Sequence, residues 1–195
     1  MCIKYDEFFS RNKAWAEQIS KANPDFFQQL SKHHEPDYLW LGCSDSRVPV
    51  NEMLGILPGE IFVHRNIANQ ASETDLSFRA VLDYAIKQLN IKHILVVGHY
   101  ACGGVTAALN GNRNGIVDFW VQDIIKLVSH KQNGLEESMN EEEWHDYICE
   151  QNVIQQVNKI NQIPLVQEAK AASGLSVAGW IYNIRNGLLY DITPN

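Results

Sequence analysis

Short apolar runs that alternate with longer segments of helical spacing are the feature that most restricts the fold of this 195-residue chain. Four runs of strand length are bounded by glycine or proline, and they are apolar at consecutive positions rather than at alternate ones. Consecutive apolar residues are typical of strands that are buried on both faces. The pattern therefore predicts an α/β fold, a mostly parallel β-sheet flanked by helices. The predicted strands are residues 38–42, 60–64, 93–98 and 176–182, with an edge strand at 187–192.

The segments between these strands repeat their apolar residues every three to four positions, as amphipathic helices do. Helices are predicted at residues 75–89, with Ser72 as the candidate cap, and at 116–131 and 142–161. The first 35 residues contain no predicted strand and favour two short helices, at 11–19 and 24–32. We therefore expect a single domain, residues 1–195, with an N-terminal helical arm, residues 1–35, that packs on a partner subunit.

Charge and hydropathy exclude several classes of protein. Acidic residues outnumber basic ones by 23 to 16, so that the formal net charge is -7. Basic clusters do not exceed two or three residues, which argues against a nucleic-acid partner. The apolar runs are of strand length and too short to cross a membrane. The first residues lack the pattern of a secretory signal, and we therefore expect a cytoplasmic protein with reduced cysteines.

Two of the predicted strands end in a glycine that is followed directly by a metal-ligating residue, Cys43 in one strand and His99 in the other. Open parallel sheets bind ligands at the carboxyl ends of their strands. Cys102 follows His99 by three positions, and Asp45 follows Cys43 by two. Two thiolates and an imidazole suit zinc, with Asp45 or water as the fourth ligand. The motifs therefore predict a zinc site at this edge of the sheet.

At these motifs the chain resembles the β-class carbonic anhydrases, through CSDSR at residues 43–47 and HYACGG at residues 99–104. The resemblance spans most of the chain and includes the segments 57–60, 63–69, 74–76 and 179–180. It implies an enzyme, a lyase, that reversibly hydrates carbon dioxide to bicarbonate and a proton. One Zn2+ per subunit would be held by Cys43, His99 and Cys102. The resemblance also implies a homodimer or homotetramer.

The resemblance assigns roles to the two charged residues of the first motif. Asp45 is expected to alternate with water as the fourth zinc ligand. Arg47 is expected to pair with Asp45 and so draw its carboxylate off the metal. Once released, Asp45 would accept a hydrogen bond from the attacking hydroxide and orient it towards CO2. Both residues are therefore expected to be catalytic.

Some members of the family are inhibited by bicarbonate in a separate pocket that is formed by a Trp, an Arg and a Tyr. This chain has Trp40, Arg65 and Tyr182 at the matching positions. The resemblance therefore implies allosteric regulation, in which bicarbonate and low pH favour the state with Asp45 on the metal. Coupling of this kind is reciprocal, since each ligand changes the affinity of the other by the same factor.

Three other interpretations remain open from the motifs. A relative on the same fold would use the same zinc hydroxide to hydrolyse carbon disulfide or carbonyl sulfide, which are sulfur analogues of CO2. A cysteine hydrolase would use Cys43 as nucleophile and His99 as base, but it leaves Cys102 and the Asp45–Arg47 pair unexplained. A sensor module would bind zinc and bicarbonate without catalysis.

The other cysteines and histidines are assigned no catalytic role. Cys2 lies near the start of the chain, and Cys149 lies in a helical pattern, where a cysteine behaves as a small apolar residue. His64 is a candidate proton carrier that the sequence does not assign. The remaining histidines are predicted to be surface or packing residues, namely His33, His34, His93, His130 and His145.

Overall fold

The structure, a computed structural model, describes residues 4–110, 115–129 and 135–194. Two compact units make up the chain, Met1–Glu35 and Pro36–Asn195. Within the described ranges, no helix is both long and apolar enough to cross a membrane. Cys2, His130 and the end of the helix predicted at 116–131 lie outside these ranges.

The first unit consists of two helices, α1 (Glu7–Ala22) and α2 (Phe26–Leu30). They correspond to the helices predicted at 11–19 and 24–32. The first is longer than predicted, and the second is shorter. The rings of Trp15 and Phe27 meet edge to face with centroids 5.7 Å apart, a favourable aromatic geometry that joins the two helices. Several apolar side chains of this unit are exposed to solvent, namely Tyr5, Phe8, Phe9 and Trp15.

The second unit is built on a five-stranded sheet. Its strands are β1 (Tyr38–Cys43), β2 (Ile61–Asn66), β3 (His93–His99), β4 (Ser176–Asn183) and β5 (Leu188–Asp191). The order across the sheet is β2-β1-β3-β4-β5. All neighbouring strands are parallel except β5, which runs antiparallel to β4. This arrangement confirms the predicted α/β fold with a mostly parallel sheet.

Helices connect and cover the strands of the second unit. They are α3 (Val50–Leu54), α4 (Leu76–Lys87), α5 (Gly103–Leu109), α6 (Ile116–Trp120), α7 (Gln122–Ser129), α8 (Glu141–Gln162) and α9 (Pro164–Ser173). The cap of α4 is Asp75 rather than the predicted Ser72, because the Asp75 carboxylate accepts the Ser77 N–H. The predicted helix at 116–131 is divided at Val121 into α6 and α7.

Both faces of the sheet are buried, as the unbroken apolar runs predict. On one face, Leu39 and Leu41 of β1 belong to the main core, which also includes side chains of α4, α5, α7 and α8. On the other face, Trp40 packs with Val48 and Val97 in a smaller core. Successive residues of a strand point to opposite faces, so that β1 contributes to both cores at once.

The two glycines that precede the predicted ligands allow close packing on opposite faces of the sheet. A Cβ at Gly42 would lie 2.2 Å from Nε1 of Trp40, so the indole ring rests over this glycine. A Cβ at Gly98 would lie 2.5 Å from Cγ2 of Val153, so α8 rests directly on β3. Both distances are below any normal carbon contact, and the glycines are therefore required by packing.

Gly98→Ala is expected to destabilise the fold by about 1–3 kcal/mol, because the added methyl group overpacks the contact with Val153. Gly103→Ala is the matched control, because a Cβ there meets no atom within 4 Å. Urea unfolding measures both. Equal midpoints for the two variants would show that the contact between α8 and β3 can relax at no cost.

Candidate metal centre

Three of the predicted ligands meet at the carboxyl edge of the sheet. Cys43 is the last residue of β1, and His99 is the last residue of the neighbouring parallel strand β3. A turn in which Ala101 has a left-handed φ of 55° then returns the chain to this edge, and Cys102 directly precedes α5. All three ligand side chains are buried, with His99 only 1% exposed. Residues that are 59 positions apart in the sequence are therefore adjacent in space.

The distances among the three ligand atoms suit a small, tetrahedrally coordinated cation. The ligand atoms of Cys43, His99 and Cys102 all lie within 4.8 Å of one another. The two sulfur atoms are 3.9 Å apart. Two thiolates at zinc–sulfur distances of about 2.3 Å in a tetrahedral site are separated by about 3.8 Å.

The orientation of the His99 ring also fits a metal ligand. Its Nδ1 lies 2.9 Å from the Tyr100 carbonyl oxygen, to which it can only donate. The neutral ring then has its lone pair on Nε2. This nitrogen is buried and has no hydrogen-bond partner among the described residues. A buried acceptor without a donor is unusual, and a metal ion between Nε2 and the two sulfurs would satisfy it.

The pKa values of the two thiols are shifted by their surroundings in a way that favours cation binding. The hydrogen bond from Cys102 lowers the pKa of Cys43, although burial opposes this, and the backbone N–H groups of Asp45 and Ala68 lower it further. The same hydrogen bond and burial raise the pKa of Cys102. The two shifts have opposite directions, so Cys43 favours the thiolate and Cys102 retains its proton. A divalent ion would displace that proton and neutralise both thiolates.

Asp45 and Arg47 form a bidentate ion pair beside the ligands. Arg47 donates from Nε to Oδ1 at 2.9 Å and from Nη2 to Oδ2 at 2.7 Å. Its Nη2 also donates to the Ala101 carbonyl oxygen at 3.1 Å, which joins the two motifs. The Arg47 hydrogen bond holds the pKa of Asp45 well below its usual range. Asp45 is therefore an ionised carboxylate that faces Arg47, with Oδ2 at 3.7 Å from Nε2 of His99.

A cavity of about 280 Å³ opens onto this edge of the sheet. Its polar floor is formed by Cys43, Ser44 and Asp45, and its walls include Ile67, Val117 and the first turn of α5. Because the walls are largely apolar, the cavity suits a small uncharged molecule. Ile67 and Val117 were not predicted as site residues, since an apolar side chain in a loop carries no sequence signal for such a role.

The three residues predicted to bind bicarbonate lie on the face of the sheet that carries the smaller core. Trp40 is completely buried, and its Nε1 has no hydrogen-bond partner among the described residues. Arg65 of β2 donates to the carbonyl oxygens of Cys43 at 2.8 Å and of Asp45 at 2.7 Å. Tyr182 of β4 is partly buried against the same core. Arg65 therefore binds the backbone of the loop that carries Asp45.

The family model for carbonic anhydrase matches residues 38–189. A carbonic anhydrase of Emericella nidulans is 40% identical over 189 residues, which cover 96% of this chain and 83% of the relative. A carbonic anhydrase of Saccharomyces cerevisiae is 32% identical over 195 residues, which cover 96% of this chain and 88% of the relative.

Solved structures give the same result. A tetrameric β-carbonic anhydrase of Sordaria macrospora matches with a TM-score of 0.92 at 38% identity, over 96% of each chain. A Coccomyxa β-carbonic anhydrase, solved in complex with acetazolamide, matches with a TM-score of 0.91 at 32% identity, over 98% of this chain and 87% of the other. A matched family model and two close relatives, together with the arrangement of Cys43, His99 and Cys102, lead to one conclusion. The chain belongs to the carbonic anhydrase family, in its β class.

Proposed function

We propose that this protein catalyses the reversible hydration of carbon dioxide to bicarbonate and a proton, with one Zn2+ per subunit bound by Cys43, His99 and Cys102. The observation that supports this most directly is the convergence of three buried ligand atoms within 4.8 Å, with one of the three residues, Cys43, lining an apolar cavity. Zinc held there supplies a Lewis acid that lowers the pKa of a coordinated water and makes it a nucleophile for CO2.

Asp45 and Arg47 are the proposed catalytic side chains of the cavity floor. Asp45 remains ionised at neutral pH because Arg47 stabilises its charge, so it is a permanent hydrogen-bond acceptor beside the ligands. As an acceptor 3.7 Å from Nε2 of His99, it can hold a nucleophile in one orientation towards CO2. Arg47 keeps this carboxylate at the edge of the ligand group. A metal held by the three ligands would therefore keep its fourth coordination position accessible.

The same pair forms the proposed gate of the site. In one state Asp45 is paired with Arg47, as in the geometry described above. In the other it would turn from Arg47 towards a metal held by Cys43, His99 and Cys102 and would close the site to water. The switch exchanges one interaction of the carboxylate for another, and neither state requires a change in its protonation. Any group that alters the position of the loop around Asp45 can therefore bias the gate.

Bicarbonate bound between Trp40, Arg65 and Tyr182 is the proposed inhibitor of this gate. The unpartnered N–H of Trp40 and the guanidinium of Arg65 are donors on one face of the sheet, which suits an oxyanion. Bicarbonate would compete with the carbonyl oxygens of Cys43 and Asp45 for the donors of Arg65. Binding would therefore loosen the loop that holds Asp45 against Arg47 and favour the closed state.

Trp40→Phe is expected to weaken inhibition by bicarbonate about tenfold, because it removes one buried donor to a charged acceptor and keeps an aromatic ring in the core. Initial rates of CO2 hydration at increasing bicarbonate concentrations measure the effect. Trp144→Phe is the matched control, since Trp144 also has a buried, unpartnered Nε1 but belongs to the main core. Equal inhibition of the two variants and the parent protein would argue against the pocket.

The proposed function is tested by stopped-flow hydration of CO2 with the zinc-loaded protein from about pH 6.5 to 9. We expect hydration, its loss after zinc is removed with a chelator, and its recovery when zinc is restored. Since Asp45 is ionised throughout this range, any change of rate with pH reports the titration of another group. No hydration by protein with zinc confirmed bound would overturn the proposal.

Assembly into a homodimer or homotetramer in the cytoplasm completes the proposed function. Ile116 and Phe119 of α6 are 82% and 76% exposed beside the cavity wall at Val117, an apolar surface of the kind that subunits cover. The exposed aromatic residues of the N-terminal arm, including Phe8 and Phe9, are a second such surface. Tetramer formation is stated for the related Sordaria macrospora protein, which supports the same assembly here.

A further inference from the structure

Three buried side-chain amides, Gln70, Asn152 and Gln156, lie behind the metal centre and have no role in the function proposed above. We refer to them as the carboxamide cluster. They are 3%, 2% and 0% exposed, and Asn152 and Gln156 belong to α8, which otherwise contributes apolar side chains to the main core. Buried amides are retained only where their hydrogen bonds are satisfied, so their partners indicate what they hold.

The cluster binds the backbone of one short segment. Gln70 donates from Nε2 to the Ala68 carbonyl oxygen at 2.7 Å and to Oδ1 of Asn152 at 2.8 Å. Asn152 donates from Nδ2 to the same Ala68 oxygen at 3.0 Å. Gln156 donates to Oδ1 of Asn152 and accepts the N–H of Ala71, both at 3.0 Å. The backbone from Ala68 to Ala71 is therefore held from two sides.

The segment needs such support because its backbone is strained. Ala68 and Asn69 have φ values of 59° and 48°, in the left-handed region that residues with a side chain rarely adopt. Two consecutive residues in this region persist only where surrounding contacts enforce them. The two hydrogen bonds on the Ala68 carbonyl fix the orientation of the peptide that follows it.

This strained segment touches the metal centre. The backbone N–H of Ala68 is among the groups that lower the pKa of the Cys43 thiol. Ile67, the preceding residue, lines the cavity. A Cβ at Gly104 would lie 2.8 Å from Cβ of Ala68, so the segment also rests directly on the start of α5, two residues after Cys102. The position of Ala68 is therefore linked to two ligands and to one cavity wall.

We propose that the carboxamide cluster is a positioning element for the metal centre. This inference rests on the proposed zinc site. The cluster holds the left-handed Ala68 so that its side chain closes against Gly104 and the preceding Ile67 keeps its place in the cavity wall beside Cys43. Gln70, Asn152 and Gln156 act through this backbone and do not touch the reacting atoms. Groups that support metal ligands from behind commonly change metal affinity or activity by about 10–100-fold when they are removed.

Cobalt-substituted protein provides the test, because cobalt bound by thiolates has a sulfur-to-metal charge-transfer band. Asn152→Leu keeps the approximate shape of the side chain and removes every hydrogen bond of Asn152. A polar N–H group near a thiolate stabilises its lone pair, so displacement of the Ala68 backbone should shift the band to longer wavelength. We also expect cobalt to be lost to a chelator about tenfold faster and kcat of the zinc enzyme to fall about tenfold.

Ile160→Ala is the matched control, because Ile160 is a fully buried, apolar residue of α8 whose side chain can form no hydrogen bond with the cluster. It should destabilise the fold while leaving the band position and the rate of cobalt loss unchanged. Gln156→Leu retains the bond from Asn152 to Ala68 and should shift the band in the same direction by a smaller amount. If Asn152→Leu does not fold, Gln156→Leu tests the positioning role of the cluster.

The outcomes separate this inference from the proposed function. If the leucine variants show the same band wavelength and the same rate of cobalt loss as Ile160→Ala, the cluster contributes only to packing. This result would overturn the inference and leave the proposed zinc site unaffected. A parent protein that binds cobalt without a thiolate band would contradict the ligand set itself and would overturn both proposals.

Discussion

Cys102→Ala is expected to reduce bound zinc from about one per subunit to near zero and to lower CO2 hydration by about 10³-fold or more. The substitution leaves two ligands, Cys43 and His99, and removes one of the two charges that balance the metal. The fold should survive, because the Cys102 side chain makes no capping hydrogen bond to α5. Elemental analysis of the purified protein and stopped-flow hydration measure the two effects.

Cys149→Ala is the matched control for this prediction. Cys149 is as buried as Cys102, at 2% exposed, but it lies outside the group of converging ligand atoms in the described part of the chain. The control should keep its zinc and its rate within about twofold of the parent, as expected for a small change away from the site. A Cys102→Ala protein with full zinc content and normal activity would exclude Cys102 from the ligand set.

Asp45→Asn is expected to lower kcat/KM by about 100-fold, an effect of about 2.7 kcal/mol on the transition state. Asparagine has one acceptor oxygen and cannot form the bidentate pair with both donors of Arg47. The side chain would lose its charge and its fixed orientation together. The variant should also be insensitive to bicarbonate, because an amide is a poor substitute for a carboxylate on the metal.

Asp37→Asn makes the same chemical change outside the site. Asp37 precedes β1 at the opposite end of the strand and pairs with Lys92 at 2.7 Å on the surface. Exposed pairs of this kind contribute little to stability, so we expect unchanged hydration and unchanged inhibition by bicarbonate. Rates of Asp45→Asn within twofold of this control would show that Asp45 neither orients the nucleophile nor gates the site.

Much of the fold could be predicted from local patterns. The strands were recognised within two residues because unbroken apolar runs of three to six residues are typical of strands buried on both faces. Helix boundaries were less accurate, as at α4, where the aspartate at residue 75 rather than Ser72 forms the cap. Several serine, threonine and aspartate residues precede this helix, and only the backbone geometry selects among them.

The candidate metal ligands could also be predicted from the sequence. Cys43 and His99 end two strands, each directly after a glycine, and adjacent parallel strands bring their carboxyl ends to one edge of the sheet. A motif at each strand end was therefore enough to predict that the two segments meet. The packing reasons for Gly42 and Gly98 were not accessible, since they depend on Trp40 and Val153, and Val153 belongs to a distant helix.

Local periodicity and short motifs were sufficient to predict the α/β fold, and the motifs also placed the candidate ligand residues at one edge of the sheet. The surroundings of these residues depend on tertiary packing. The left-handed Ala68 is held by hydrogen bonds that span 82 and 84 residues between Gln70, Ala68 and Asn152. Such contacts leave no periodic pattern in the sequence, because they arise only when α8 packs on the sheet and brings its amides to a loop that is distant in the sequence.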